Sequence, residues 1–84
     1  MKGNYYLYKI NEDGTASIYG KFPSLQMATM SANLLMINDI CFIVNEDVTK
    51  MYFYEDDSGW DYDILTEDGR KEFLQAYQNP LDYK

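Results

Sequence analysis

The most constraining feature of this 84-residue chain is the run Ile40-Cys41-Phe42-Ile43-Val44. Five consecutive apolar residues, three of them β-branched, are too few for a buried helix and read as a central strand. The other segments must supply neighbours for it. Tyr5 to Ile10 alternates, with Tyr6, Tyr8 and Ile10 on one face and Tyr5, Leu7 and Lys9 on the other. Asn11-Glu12-Asp13-Gly14 is a turn signal, because Gly14 can take a positive φ. Ser17 to Phe22 alternates again, with Ile18, Gly20 and Phe22 expected on one face. These two segments predict a β-hairpin. Thr49 to Tyr54 predicts a second one after the turn Asn45-Glu46-Asp47, with Met51 and Phe53 opposite Lys50, Tyr52 and Tyr54. Trp60 to Leu65 is a short fifth strand or an extension, following the loop Asp56-Asp57-Ser58-Gly59.

Two helices complete the reading. Pro23-Ser24 can open the first, with Ser24 capping free backbone N–H groups. Leu25, Ala28, Ala32 and Leu35 form its apolar stripe, which Met27, Met30 and Leu34 widen, and Asn38-Asp39 ends it. Methionines there read as core filler, with a homodimer contact as the alternative use. Thr66 caps a second helix running to about Tyr77, with Phe73, Leu74 and Tyr77 inward. The tail after Pro80 is expected to fray. The order is ββαββ(β)α in one domain, residues 1–84. The fold class is α+β: an antiparallel sheet of four or five strands with the helices packed on one face. No sequence repeat or linker divides the chain, although two hairpin-then-helix halves look alike in outline.

Catalytic chemistry finds few footholds. The chain has no histidine, which removes the commonest general base and metal ligand. Its five glycines are scattered singly, so there is no phosphate-binding loop. The single cysteine, Cys41, lies inside the apolar run and reads as a buried structural thiol. The expectation is a non-enzymatic protein without cofactor or metal, placed in the cytoplasm, with no segment long enough to span a membrane.

Charge carries more information. Fourteen acidic residues against seven basic ones set the net charge at −7, which disfavours nucleic acid and anionic membranes as partners. Between Glu46 and Asp68 the only basic residue is Lys50. The stretch Glu55-Asp56-Asp57-Ser58-Gly59-Trp60-Asp61-Tyr62-Asp63 holds five acids and two aromatics. Its acids do not follow the alternation, central glycine and terminal glutamate of a calcium loop. As a protein-binding patch, Tyr54, Trp60 and Tyr62 would be anchors. Glu55, Asp56, Asp57, Asp61 and Asp63 would pair with a basic surface on a partner, such as that of a nucleic-acid-binding enzyme. As a bland alternative, the same loop is simply solvated. In size, charge and lack of catalytic residues the chain is similar to small phage-encoded inhibitors of host defence, such as anti-CRISPR proteins and other DNA mimics. That likeness lies in composition alone. A second functional expectation is a structural or assembly protein that forms a homodimer through a Tyr-rich sheet face.

Overall fold

The computed structural model describes residues 3–83. Its elements are β1 (Tyr5–Ile10), β2 (Ala16–Phe22), α1 (Leu25–Leu35), β3 (Cys41–Asn45), β4 (Lys50–Glu55), β5 (Gly59–Ile64) and α2 (Glu67–Ala76). A 3-10 turn, Pro80–Asp82, follows. The strands form one antiparallel sheet in the order β2-β1-β3-β4-β5. This is the expected α+β architecture, with the fifth strand present and β3 in the centre.

The caps act as the sequence predicts. Ser24 Oγ accepts the Met27 N–H at 3.2 Å, and Thr66 Oγ1 accepts the Gly69 N–H at 3.1 Å. The expectation that both helices share one face of the sheet does not hold. Alternation sends Leu7, Cys41 and Ile43 to one face, where they pack with Ala28 and Ala32 of α1. Tyr6, Tyr8, Phe42 and Val44 point the other way and pack with Phe73 of α2. The physical reason lies in β1 and β3. Both carry large apolar residues at successive positions, so each face of the central sheet needs a cover. Ala28 and Ala32 are fully buried, and their small size lets α1 lie close to the strands. On the other face Tyr8 stacks on Phe42 at 5.0 Å between centroids, and Phe73 and Tyr77 meet both rings.

Three further departures have local causes. Leu7 pairs with Gly20 but Tyr8 pairs with Ile18, so β2 carries a bulge at Tyr19. The extra residue flips the alternation. Ile18 joins the α2 side and Phe22 the α1 side, rather than one face together. Met27, Met30 and Leu34 do not widen the buried stripe of α1; all three are exposed. The tail does not fray at Pro80. Asn79 caps the 3-10 turn, Pro80 is buried, and Tyr83 meets Tyr6 edge to face at 6.3 Å. The Tyr8 hydroxyl donates to the Gln78 carbonyl at 2.6 Å, which ties this segment to the central strand.

Two hairpin turns repeat one design. Asn11-Glu12-Asp13-Gly14-Thr15 and Asn45-Glu46-Asp47-Val48-Thr49 differ at one position. In each, the first Asn donates through Nδ2 to the Thr hydroxyl, which donates to the Asp carboxylate. The fourth residue takes a positive φ, +90° at Gly14 and +57° at Val48. Glycine is at ease there and valine is not. Val48 is nevertheless buried in the core under α2. The Arg70 side chain of α2 reaches the same turn, donating from Nε to the Asp47 carbonyl at 3.0 Å.

Candidate functional site

All eight candidate residues, Tyr54, Glu55, Asp56, Asp57, Trp60, Asp61, Tyr62 and Asp63, fall on the β4–β5 hairpin. The strand order places β5 at the sheet edge, with one row of backbone groups facing outward. Asp56 and Asp57 occupy the turn, closed by the Ser58 N–H to the Glu55 carbonyl at 3.2 Å. Gly59 takes φ +80°, which lets the chain re-enter the sheet.

The period of two then divides the set. Tyr54 pairs with Trp60 and Tyr52 with Tyr62, on the face that carries α1. Their rings form two groups: Tyr5 meets Tyr52 at 6.0 Å and Tyr52 meets Tyr62 at 5.7 Å, while Tyr54 meets Trp60 at 5.7 Å. Lys50 Nζ stands 5.2 Å from the Tyr62 ring centroid. Trp60 is half-buried and donates from Nε1 to Asn33 Oδ1 of α1 at 3.3 Å. Tyr54 and Tyr62 remain 45% and 48% exposed. The strand tyrosines do not form one open face, since Tyr6, Tyr8 and Tyr52 are buried.

Asp61 and Asp63 point to the opposite, α2, face, in register with Phe53 and Met51. Phe53 and Met51 help line an open groove of about 610 Å³. Leu65, Phe73 and Ile40 add to its apolar wall, and Glu72 of α2 contributes a carboxylate. Sequence reasoning missed this groove because its residues come from four separate elements, β1, β3, β4 and α2, and from the loops beside them. The hairpin's acids and aromatics therefore do not form one flat patch. A partner touching both must straddle the edge strand.

None of the hairpin carboxylates sits in an ion pair among the described residues, where Lys9 and Asp39 make the one salt bridge, at 3.8 Å. Asp61 accepts the backbone N–H of Tyr62 at 2.8 Å, and Glu55 accepts the Ser58 hydroxyl at 3.2 Å. The rest of their hydrogen-bonding capacity is directed at solvent or a partner.

Among the described residues no three His, Cys, Asp or Glu side chains come together to hold a metal ion. Cys41 is buried, with Sγ 3.9 Å from the Ala32 carbonyl. Burial, with the Asp39 carboxylate adding to it, pushes its thiol up to about 11. A thiol held protonated is a poor nucleophile. No helix among the described residues is long and apolar enough to cross a membrane. The chain matches no family model, no curated protein and no solved structure.

Proposed function

We propose that the chain is an acidic protein-binding module whose β4–β5 hairpin occupies a basic surface on another protein. One observation carries the reading. The unpaired carboxylates Asp61 and Asp63 stand in register with Phe53 and Met51, which line an open apolar groove. That combination suits a segment that presents Arg or Lys together with an apolar side chain. The apolar part gains from burial, while the cations are attracted and oriented by the acids. Asp56 and Asp57 extend the negative charge around the turn, and Tyr54 and Tyr62 offer contact area on the other side of the edge strand. Nucleic-acid-binding enzymes carry basic surfaces of this kind. Occupying one would inhibit such an enzyme in the manner of a DNA mimic, which is the role proposed here.

The test is a pull-down from bacterial lysate at low and moderate salt, using wild type and the variant Asp56→Asn, Asp57→Asn, Asp61→Asn, Asp63→Asn. The expected result is a nucleic-acid-binding protein that wild type retains, the variant loses, and added duplex DNA displaces. Retention of the same protein by the variant, or indifference to DNA, overturns the reading.

A further inference from the structure

Helix α1 has two apolar faces, and the sheet uses one of them. Ala28 and Ala32 are buried against the strands, with Leu25, Leu35 and Met36 packed beside them. At 3.6 residues per turn, Met27, Met30 and Leu34 form a second stripe on nearly the opposite side, and Ile37 follows in the turn after the helix. The four are 49%, 60%, 74% and 75% exposed. Tyr19, turned out by the β2 bulge and 57% exposed, shares a surface cleft with Leu34 and extends the patch. A helix that lies on the surface of a monomer is normally polar on its outer side.

Charge selects the occupant. From Phe22 to Asn38 no residue is charged, in a chain whose net charge is −7. Two copies meeting anywhere near the β4–β5 hairpin would bring like charges together. Two copies meeting on α1 would not. Antiparallel pairing of the helices also sets the positive end of each helix dipole beside the negative end of the other.

The area agrees with a modest interface. With about 200 Å² for a fully exposed large side chain, the five residues offer roughly 600 Å² per copy. A two-fold contact would bury about 1,200 Å² in total, the lower bound for specific interfaces. We propose that the chain self-associates as a weak two-fold dimer through the outer face of α1, with Met30 and Leu34 at its centre. An isologous contact sets one patch against itself, and an apolar stripe without charge meets its own copy without repulsion. The acidic hairpin takes no part, so this inference stands apart from the function proposed above.

Light scattering on a size-exclusion column, over a range of protein concentration, tests it. Wild type is expected to rise with concentration from the 9.9 kDa of one chain toward twice that mass. Added salt should leave the dimer intact or strengthen it by screening the mutual repulsion. Leu34→Glu should hold the mass at one chain with an unchanged circular dichroism spectrum, because the side chain lies on the surface. Met30→Lys provides the same test with the opposite charge if the first variant fails to fold. A single-chain mass at every concentration overturns the proposal. So does a dimer that survives both substitutions, or one abolished by Tyr62→Ala and untouched by Leu34→Glu, which would place the contact on the sheet.

Discussion

Val48 carries a strained backbone and a buried side chain at once, and substitution can separate the two. Its φ of +57° is the left-handed conformation that the equivalent Gly14 adopts at +90°. Holding a non-glycine residue there costs about 1–3 kcal/mol. Burying a valine side chain contributes about 1.5–3 kcal/mol. The terms nearly cancel, so Val48→Gly loses the burial, recovers the strain, and should stay within about 2 kcal/mol of wild type. Val48→Ala loses most of the same burial yet keeps a left-handed cost of about 1–2 kcal/mol. Glycine should therefore be more stable than alanine at this position by about 1 kcal/mol. At an extended or helical position the order reverses, with alanine ahead by about 0.5–1 kcal/mol. The assay is thermal unfolding followed by circular dichroism, where 1 kcal/mol shifts the midpoint of a domain this size by about 4–8 °C. Gly14→Val supplies the control. Nothing lies within 4 Å of the added Cβ, so the strain arrives without burial and the cost should be the full 1–3 kcal/mol or so. A Val48→Ala protein that melts at or above Val48→Gly would refute the strain argument.

Two more outcomes follow from the packing. Burial raises the pKa of Cys41, Tyr6, Tyr8 and Tyr52, assisted by Asp39 at Cys41, Glu46 at Tyr6, Tyr6 at Tyr8, and Tyr5 and Tyr62 at Tyr52. A group raised in the folded state stabilises fully below its unfolded value and loses that contribution as pH rises through the folded one. Stability should thus be flat through neutral pH and fall above 9.0, the ordinary Cys41 value. In urea titrations at stepped pH, Cys41→Ala should make the fall between 9.0 and about 11 shallower, leaving the tyrosine part, which begins at 10.0; an unchanged slope contradicts this. Ala32→Leu should cost about 1–3 kcal/mol by forcing α1 away from the sheet, measured by chemical denaturation, and a neutral result would mean the helix is not seated as closely as described.

Much of the architecture was legible in local pattern. Alternation located β1 and β4, Ser24 and Thr66 marked the helix starts, and Gly59 allowed the chain to return as β5. The helices were expected on one face, although the signal for two-sided cover lay in Cys41-Phe42-Ile43-Val44 itself. A strand apolar at every position presents both faces, and a helix on one side leaves the other wet. The bulge at Tyr19 was hidden, because an inserted residue inside an alternating segment leaves no mark until pairing partners are known. Period alone also could not tell the two stripes of α1 apart. Side-chain volume does so: alanines allow close approach to a sheet, and methionines in the same place would hold the helix off. The candidate residues are together because a hairpin keeps sequence neighbours together. Their division between faces follows from the same alternation that located the strand. The groove they border is assembled from distant segments and had no sequence signature.

The order of strands has a consequence for how the protein reaches this state. Of the four pairings in the sheet, β1 with β2, β3 with β4 and β4 with β5 are hairpins. β1 with β3 alone joins segments distant in sequence, setting Leu7 against Ile43. Hairpins close in about 1–10 μs, whereas the β1–β3 seam must wait for the chain to loop through α1. The entropy of long-range closure is spent at that single step. The folding rate should then be governed by residues of the seam. The β4–β5 hairpin, outside the seam, is free to carry repelling charge without slowing the passage to the folded state.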